Sequence, residues 1–182
     1  MGRPKALLPF QGQPLLCHIL DILEPHVTER IVVAAEDQQL PALPKTVHVA
    51  MDLYPRRGPL EGLRAGLRAA KSAELFFVSS CDAALLQPEF VREMFHRFEP
   101  GDQIVVPRDG KFYHPLAAVY HRDVLPVVEE LLRADQLRPF YLFERVATRI
   151  IETHDLRHVD PELRSLTNVN TPEDYERLTG EA

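Results

Sequence analysis

Glu74-Leu75-Phe76-Phe77-Val78-Ser79-Ser80-Cys81-Asp82 is an unbroken apolar run that gives way to small residues and closes on an acid. An apolar run with no polar alternation reads as a strand covered on both faces, the kind found in parallel sheets flanked by helices. On its N-terminal side, Pro59 opens a helix whose face is Leu60, Leu63, Leu67 and Ala70, with Gly62 and Gly66 small enough for close approach to a sheet. On its C-terminal side, Phe90, Met94 and Phe98 form a helical stripe. Further out, Arg30 to Ala35 reads as another buried strand and Thr46 to Met51 as a third, ending at Asp52. Pro14 to Leu23 reads as a helix that stops before Pro25. Gln103 to Pro107 and Pro115 to Tyr120 are further strands around an Asp109-Gly110 turn, and Thr148 to Glu152 is a short one. Val124 to Leu132 and Phe140 to Val146 read as helices, and Thr171-Pro172-Glu173-Asp174 as a helix start with a threonine cap. Alternating strands and helices predict an α/β domain of three layers, α/β/α, around a mostly parallel sheet. Ligands of such sheets bind beyond the carboxyl ends of the strands, where Asp52 and Asp82 both fall.

Composition narrows the function classes. The 182 residues suit one domain. No apolar run approaches the length of a membrane span and no signal-peptide core opens the chain, so the expected setting is cytoplasmic, with no membrane partner. A formal charge of −6 argues against a nucleic-acid partner, because phosphate backbones are gripped by clustered Lys and Arg. The two cysteines, Cys17 and Cys81, lack metal-site spacing and cannot form a disulfide framework.

Several side chains carry candidate chemistry beside plainer roles. Met1-Gly2-Arg3-Pro4-Lys5 reads as the tail of a phosphate-binding turn, with Gly2 allowing backbone to approach an anion and Lys5 neutralising it; a loose terminus is the other reading. Neither GxxxxGK[ST] nor GxGxxG occurs, so any nucleotide site is of a different kind. Asp82 suits either a cap for the following segment or a magnesium site that takes its remaining ligands from water and phosphates, and Asp52 has the same ambiguity. Cys81 reads as a small buried hydrophobe. His114 can orient a substrate or simply open a strand. His154 and His158 have the spacing of a helical metal pair, but Asp155 and Pro161 argue against a helix there and against zinc. Arg56 and Arg57 read as a solvated loop within reach of an anionic substrate.

The run from Gly2 to Leu16, the turn Gly58-Pro59-Leu60-Glu61-Gly62-Leu63, Ser80-Cys81-Asp82, His114-Pro115-Leu116 and Asn168-Val169-Asn170-Thr171-Pro172-Glu173-Asp174 follow in order over essentially the whole chain. Together they resemble the molybdenum cofactor guanylyltransferases, a MobA-like branch of the nucleotidyltransferases. The resemblance implies a single domain over 1–182 with the Rossmann-like fold of the nucleotide-diphospho-sugar transferases. It also implies transfer of GMP from GTP to the phosphate of molybdopterin or Mo-molybdopterin, with Mg2+ as cofactor and transient contact with proteins that make or accept the molybdenum cofactor. Carried over by residue, Lys5 and Asp82 are the catalytic pair and Asp82 the magnesium ligand. Gly2, Asp52, Gly58 and Gly62 join them on the nucleotide side, and His114, Asn168 and Asn170 lie on the molybdopterin side. A cytidylyltransferase of molybdopterin is the nearest alternative, and a non-catalytic molybdopterin-binding relative is the other.

Three departures bear on those expectations. Ala34 and Ala35 stand where relatives can place a polar residue toward the base, and Ala83-Ala84 replaces a proline-bearing stretch after the acid. The largest concerns the front, because the family opens with a strand and an LAGG-type turn ahead of the position of Met1. Each large aliphatic side chain buried on such a strand contributes roughly 1.5–3 kcal/mol, so four or five approach the net stability of a domain, about 5–15 kcal/mol. The expectation is therefore an N-terminally incomplete domain whose reading frame starts upstream.

Overall fold

Side chains alternate between two helical layers along the central strands, and this alternation defines the architecture. The computed structural model describes residues 4–52, 54 and 57–180, so Gly2 and Arg56 lie outside the described residues. A turn of 3-10 helix at Lys5–Leu7 leads into a small hairpin, β1 (Pro9–Phe10) and β2 (Gln13–Pro14). Its loop residues Gln11 and Gly12 have φ of 49° and 82°, the positive pair that a tight hairpin turn requires. Then follow α1 (Leu15–Leu23), β3 (Arg30–Ala35), β4 (Val47–Asp52), α2 (Pro59–Ala69), β5 (Leu75–Ser79) and α3 (Pro88–His96). The second half comprises β6 (Ile104–Asp109), β7 (Phe112–Tyr113), β8 (Ala117–His121), α4 (Leu125–Arg133), α5 (Pro139–Phe143), β9 (Thr148–Glu152) and α6 (Pro172–Thr179).

Val105 of β6 with Ala117 and Val119 of β8 pack against Phe90, Val91 and Met94 of α3 and Leu15 and Ile19 of α1, with Tyr175 and Leu178 of α6 alongside. The neighbouring residues Ile104, Val106, Ala118 and Tyr120 face the other way, onto Leu60, Leu63 and Leu67 of α2, Val128 and Leu131 of α4, and Leu142 of α5. A strand turns successive residues to opposite faces, so two apolar faces per strand demand a helical layer on each. The three expected layers follow from that.

The sheet itself is mixed. β5, β8, β6 and β9 lie side by side, with β6 and β9 parallel and β8 antiparallel to both β5 and β6. The reversal at β8 comes from its connection: β6 turns back through Asp109-Gly110 into β7, a two-residue strand paired on β6, and a chain returning by so short a route must run antiparallel. β3 and β4 form a separate parallel pair, Arg30 opposite Val47 through Ala35 opposite Asp52.

Between β3 and β5 there is a slot rather than a ladder. No strand pairing joins them among the described residues. A cavity of about 570 Å³ lies there, bounded by Ile31 and Val33 of β3, Phe76 and Val78 of β5, Leu20 of α1 and Gly62 of α2. This explains a departure from the sequence reading: β5, the most apolar strand, is only half-buried at every one of its positions. Gly62, read as allowing close approach to a sheet, faces open space with nothing within 4 Å of where a Cβ would stand. Gly66 does approach β3, its would-be Cβ lying 3.5 Å from Val33 Cγ2.

Candidate active site

Three segments far apart in sequence meet beyond the carboxyl end of β5. Pro4 precedes a 3-10 turn whose middle residue, Ala6, is buried at 1% exposure and anchors the turn in the core. That anchoring holds Lys5 at the rim, where its Nζ donates to Asp82 Oδ2 at 2.7 Å. The same ammonium donates to Asn170 Oδ1 at 2.9 Å. Asp82 is held from its other side by Ser80 Oγ, which donates to Oδ1 at 2.5 Å, and its carbonyl accepts the Val169 N–H at 3.0 Å.

The loop that carries Asn170 is fixed by the helix after it. Thr171 and Asp174 form a reciprocal capping box at the start of α6, and Asp174 Oδ2 accepts the N–H groups of Thr171 at 2.9 Å and Asn170 at 3.1 Å. Those backbone donors, Thr171 first, hold the Asp174 carboxyl below the usual carboxylate range. Tyr175 donates to the Pro9 carbonyl, tying α6 back to the N-terminal hairpin. Val169 is buried, so the side chains on either side of it point outward, and Asn170 is the one that reaches Lys5. Asn168 is exposed and takes no part in that contact.

Asp52 stands elsewhere. It ends β4, which pairs with β3 and has no strand pairing to β5 among the described residues. Its Oδ1 accepts the Tyr54 N–H at 3.1 Å, a turn-closing bond. Gly58 caps α2 with φ of 75°, a conformation only glycine adopts without strain. Arg57 is drawn to the end of α4, donating to the Leu132 carbonyl at 2.5 Å and to Asp135 Oδ1 at 3.1 Å.

His114 lies at the bend between β7 and β8, its N–H bonded to the Pro107 carbonyl at 2.9 Å. Burial lowers its imidazole pKa against a weaker opposing effect of Asp109, so the ring is neutral at pH 7. Burial, with the Asp82 charge beside it, pushes the Cys81 thiol up, which suits a packing role rather than a nucleophile. Thr153–Leu156 is a 3-10 turn, so His154 and His158 do not share a helix face; His158 Nε2 lies 3.3 Å from Glu93 Oε1. No group of three potential ligands gathers among the described residues. Ser80 is the site residue that the sequence reading passed over, and its position two before the acid is the one available signal.

The chemistry of this donor set fits a divalent cation held largely by its substrate. Asp82 offers a hard carboxylate oxygen with 14% side-chain exposure, and Lys5 already supplies positive charge at that oxygen. A single carboxylate beside a lysine matches a cation that completes its shell with phosphate and water.

A lysine and a carboxylate brought together at one carboxyl end of an α/β sheet suit a protein that handles phosphate groups. The sequence model of the MobA-like NTP transferase domain matches residues 1–149, and the chain belongs to that family. A probable molybdenum cofactor guanylyltransferase of Carboxydothermus hydrogenoformans is 35% identical over 98% of this chain and 88% of its own length. One from Mycobacterium tuberculosis, also named probable, is 38% identical over 94% of this chain and 83% of its own. Among solved structures, the molybdopterin-guanine dinucleotide biosynthesis protein A of Archaeoglobus fulgidus superposes with a TM-score of 0.80, at 20% identity over 99% of this chain and 91% of that one. A Mycobacterium tuberculosis protein solved in complex with manganese superposes with a TM-score of 0.65, at 20% identity over 98% of this chain and 93% of that one.

Proposed function

We propose that this chain is a molybdenum cofactor guanylyltransferase, transferring GMP from GTP to the terminal phosphate of molybdopterin with release of pyrophosphate. The observation that carries the reading is the convergence of Lys5, Asp82 and Asn170 at one carboxyl end of the sheet. It is supported by relatives of that name across nearly the whole chain. An oxygen of the molybdopterin phosphate attacks the α-phosphorus of GTP, and the bond from that phosphorus to the bridging oxygen breaks as pyrophosphate leaves. Little covalent chemistry is asked of the protein, and the rate depends on alignment and on neutralising charge as it moves.

Each residue has a part in that alignment. Lys5 leaves its pairing with Asp82 to face the triphosphate, drawing charge toward the departing pyrophosphate. Asp82, braced by Ser80, would hold Mg2+, which when bound screens the phosphate oxygens and stabilises the crowded phosphorus. Asn170, fixed by the Asp174 capping box, marks the acceptor side close to the point of attack. His114, neutral and half-buried, would meet the pterin portion as donor or acceptor.

The test is competition between GTP and CTP at equal concentration, with molybdopterin as acceptor and magnesium present. Preferential formation of the guanine dinucleotide supports the assignment. Preference for CTP replaces it with cytidylyl transfer. Binding of molybdopterin with no heat on adding Mg-GTP in calorimetry would mark a non-catalytic relative.

A further inference from the structure

The two outermost strands, β9 and β4, differ in how their free edges are kept. β9 pairs only with β6 among the described residues, and charge guards it: Arg149 is held by Asp102 and Glu99, and Glu152 by Arg108. β4 pairs with β3 along one edge and has no strand on the other among the described residues. Its six residues, Val47-His48-Val49-Ala50-Met51-Asp52, include no lysine, arginine or proline. Leu40 and Leu43, from the crossover that joins β3 to β4, pack with Val47 and leave Val49 and Met51, on the same face, 48% and 42% exposed. Open backbone groups along a bare apolar strand call for another strand beside them.

The sequence of β4 is complementary to itself. Outward backbone groups come from every second residue, and in an antiparallel ladder opposed residues exchange their bonds, so two copies of one strand pair only with a residue on the two-fold axis. With His48 on that axis, two imidazoles oppose each other. With Val49 there, His48 faces the partner's Ala50 and Asp52 falls beyond the paired stretch; with Met51 there, Ala50 faces the partner's Asp52 and His48 falls beyond it. Ala50 on the axis sets Val49 against the partner's Met51 and His48 against the partner's Asp52, each twice. On one face the exposed apolar side chains then cover one another, and on the other each imidazole meets a carboxylate, the two kinds of cross-strand pair that stabilise a ladder. The atoms for the polar pair are available: His48 has Nδ1 to offer while its Nε2 lies 3.9 Å from Glu29 Oε1, and Asp52 has Oδ2 while its Oδ1 accepts the Tyr54 N–H.

We propose that β4 is the interface of a symmetric homodimer, paired antiparallel with β4 of a second copy about an axis through Ala50. About four to six main-chain hydrogen bonds fix the register, depending on which alternate set of residues faces outward. Val49 and Met51 supply the apolar contact, and His48 with the partner's Asp52 selects this register over its neighbours. The inference does not depend on which nucleotide is used.

Sedimentation of the 182-residue chain from about 1 µM to about 0.5 mM, the range of modest protein affinities, tests it, and a dimer is expected to form within that range. Val49→Lys combined with Met51→Lys sets like charges against each other at both apolar contacts and should weaken association by about tenfold or more. Both side chains are exposed, so the melting temperature of that variant should stay within about 2 °C of the parent. Ala50→Cys reads the register: opposed Cα atoms of an antiparallel pair stand about 4.5–5.5 Å apart, within disulfide reach, so air oxidation should link the two copies. Val49→Cys should crosslink no more than the parent, which carries Cys17 and Cys81, because its two copies lie on a diagonal. A monomer throughout the range, association that the two lysine substitutions leave unchanged, or crosslinking through Val49→Cys in place of Ala50→Cys overturns the proposal.

Discussion

Replacing Asp82 by asparagine separates the structural from the chemical role of this carboxylate. In the structure the side chain is held by Ser80 at 2.5 Å and by Lys5 at 2.7 Å, and Lys5 is 31% exposed. Asparagine keeps the shape and one acceptor oxygen, so what disappears is the charge and the second acceptor. A partly exposed ion pair is worth little, and with the loss of one of the two accepted hydrogen bonds the cost is about 1 kcal/mol. In a domain of this size that lowers the melting temperature by roughly 2–4 °C. Catalysis should suffer far more, because the metal-holding charge acts where phosphate charge develops; a loss of about a thousandfold corresponds to about 4 kcal/mol. The measurements are a thermal melt, pyrophosphate release with GTP and molybdopterin, and Mn2+ binding by electron paramagnetic resonance, which needs no turnover. Mn2+ affinity unchanged and a rate within about tenfold of the parent would refute the assignment of Asp82. A fall of the melt beyond about 10 °C would show instead that the carboxylate is a structural support.

Three further perturbations probe the surrounding framework. Tyr120 is fully buried and donates to the Pro115 carbonyl at 2.8 Å, so Tyr120→Phe leaves that carbonyl unpaired and should cost about 1–2 kcal/mol in denaturant unfolding. Glu61 and Arg64 form a buried pair on α2, with Glu61 Oε2 and Arg64 Nε lacking partners among the described residues. Arg64→Met should cost about 3–5 kcal/mol by stranding the acid, and the double change Glu61→Leu with Arg64→Met should recover most of it in the same unfolding measurement. Because burial lowers the His114 pKa, the unfolded chain binds the proton first as pH falls below about 6.5, and stability declines there until the folded ring also titrates. His114→Gln should flatten that part of a melting-temperature profile between pH 5 and 7, and an unchanged slope would remove His114 as its source.

Local pattern made most elements legible, and long-range pairing hid the rest. Helix starts at Pro59 and Thr171 and the strand at Thr148–Glu152 stand where periodicity and capping chemistry put them, because those signals act over a few residues. Phe98 continues the apolar stripe of α3 but lies past its end at His96, packing on the core from the turn. The helix read through Val146 stops at Phe143, and β7 is a two-residue strand with too little sequence to announce itself. The antiparallel setting of β8 depends on a turn being followed by a return, which residue pattern does not disclose. At the site, Lys5 and Asp82 are 77 residues apart and Lys5 and Asn170 165 apart, so only the resemblance placed them on one surface. Asp52 and Asp82 carried the same signal, an acid at a strand tip, and the order of strands sets them apart.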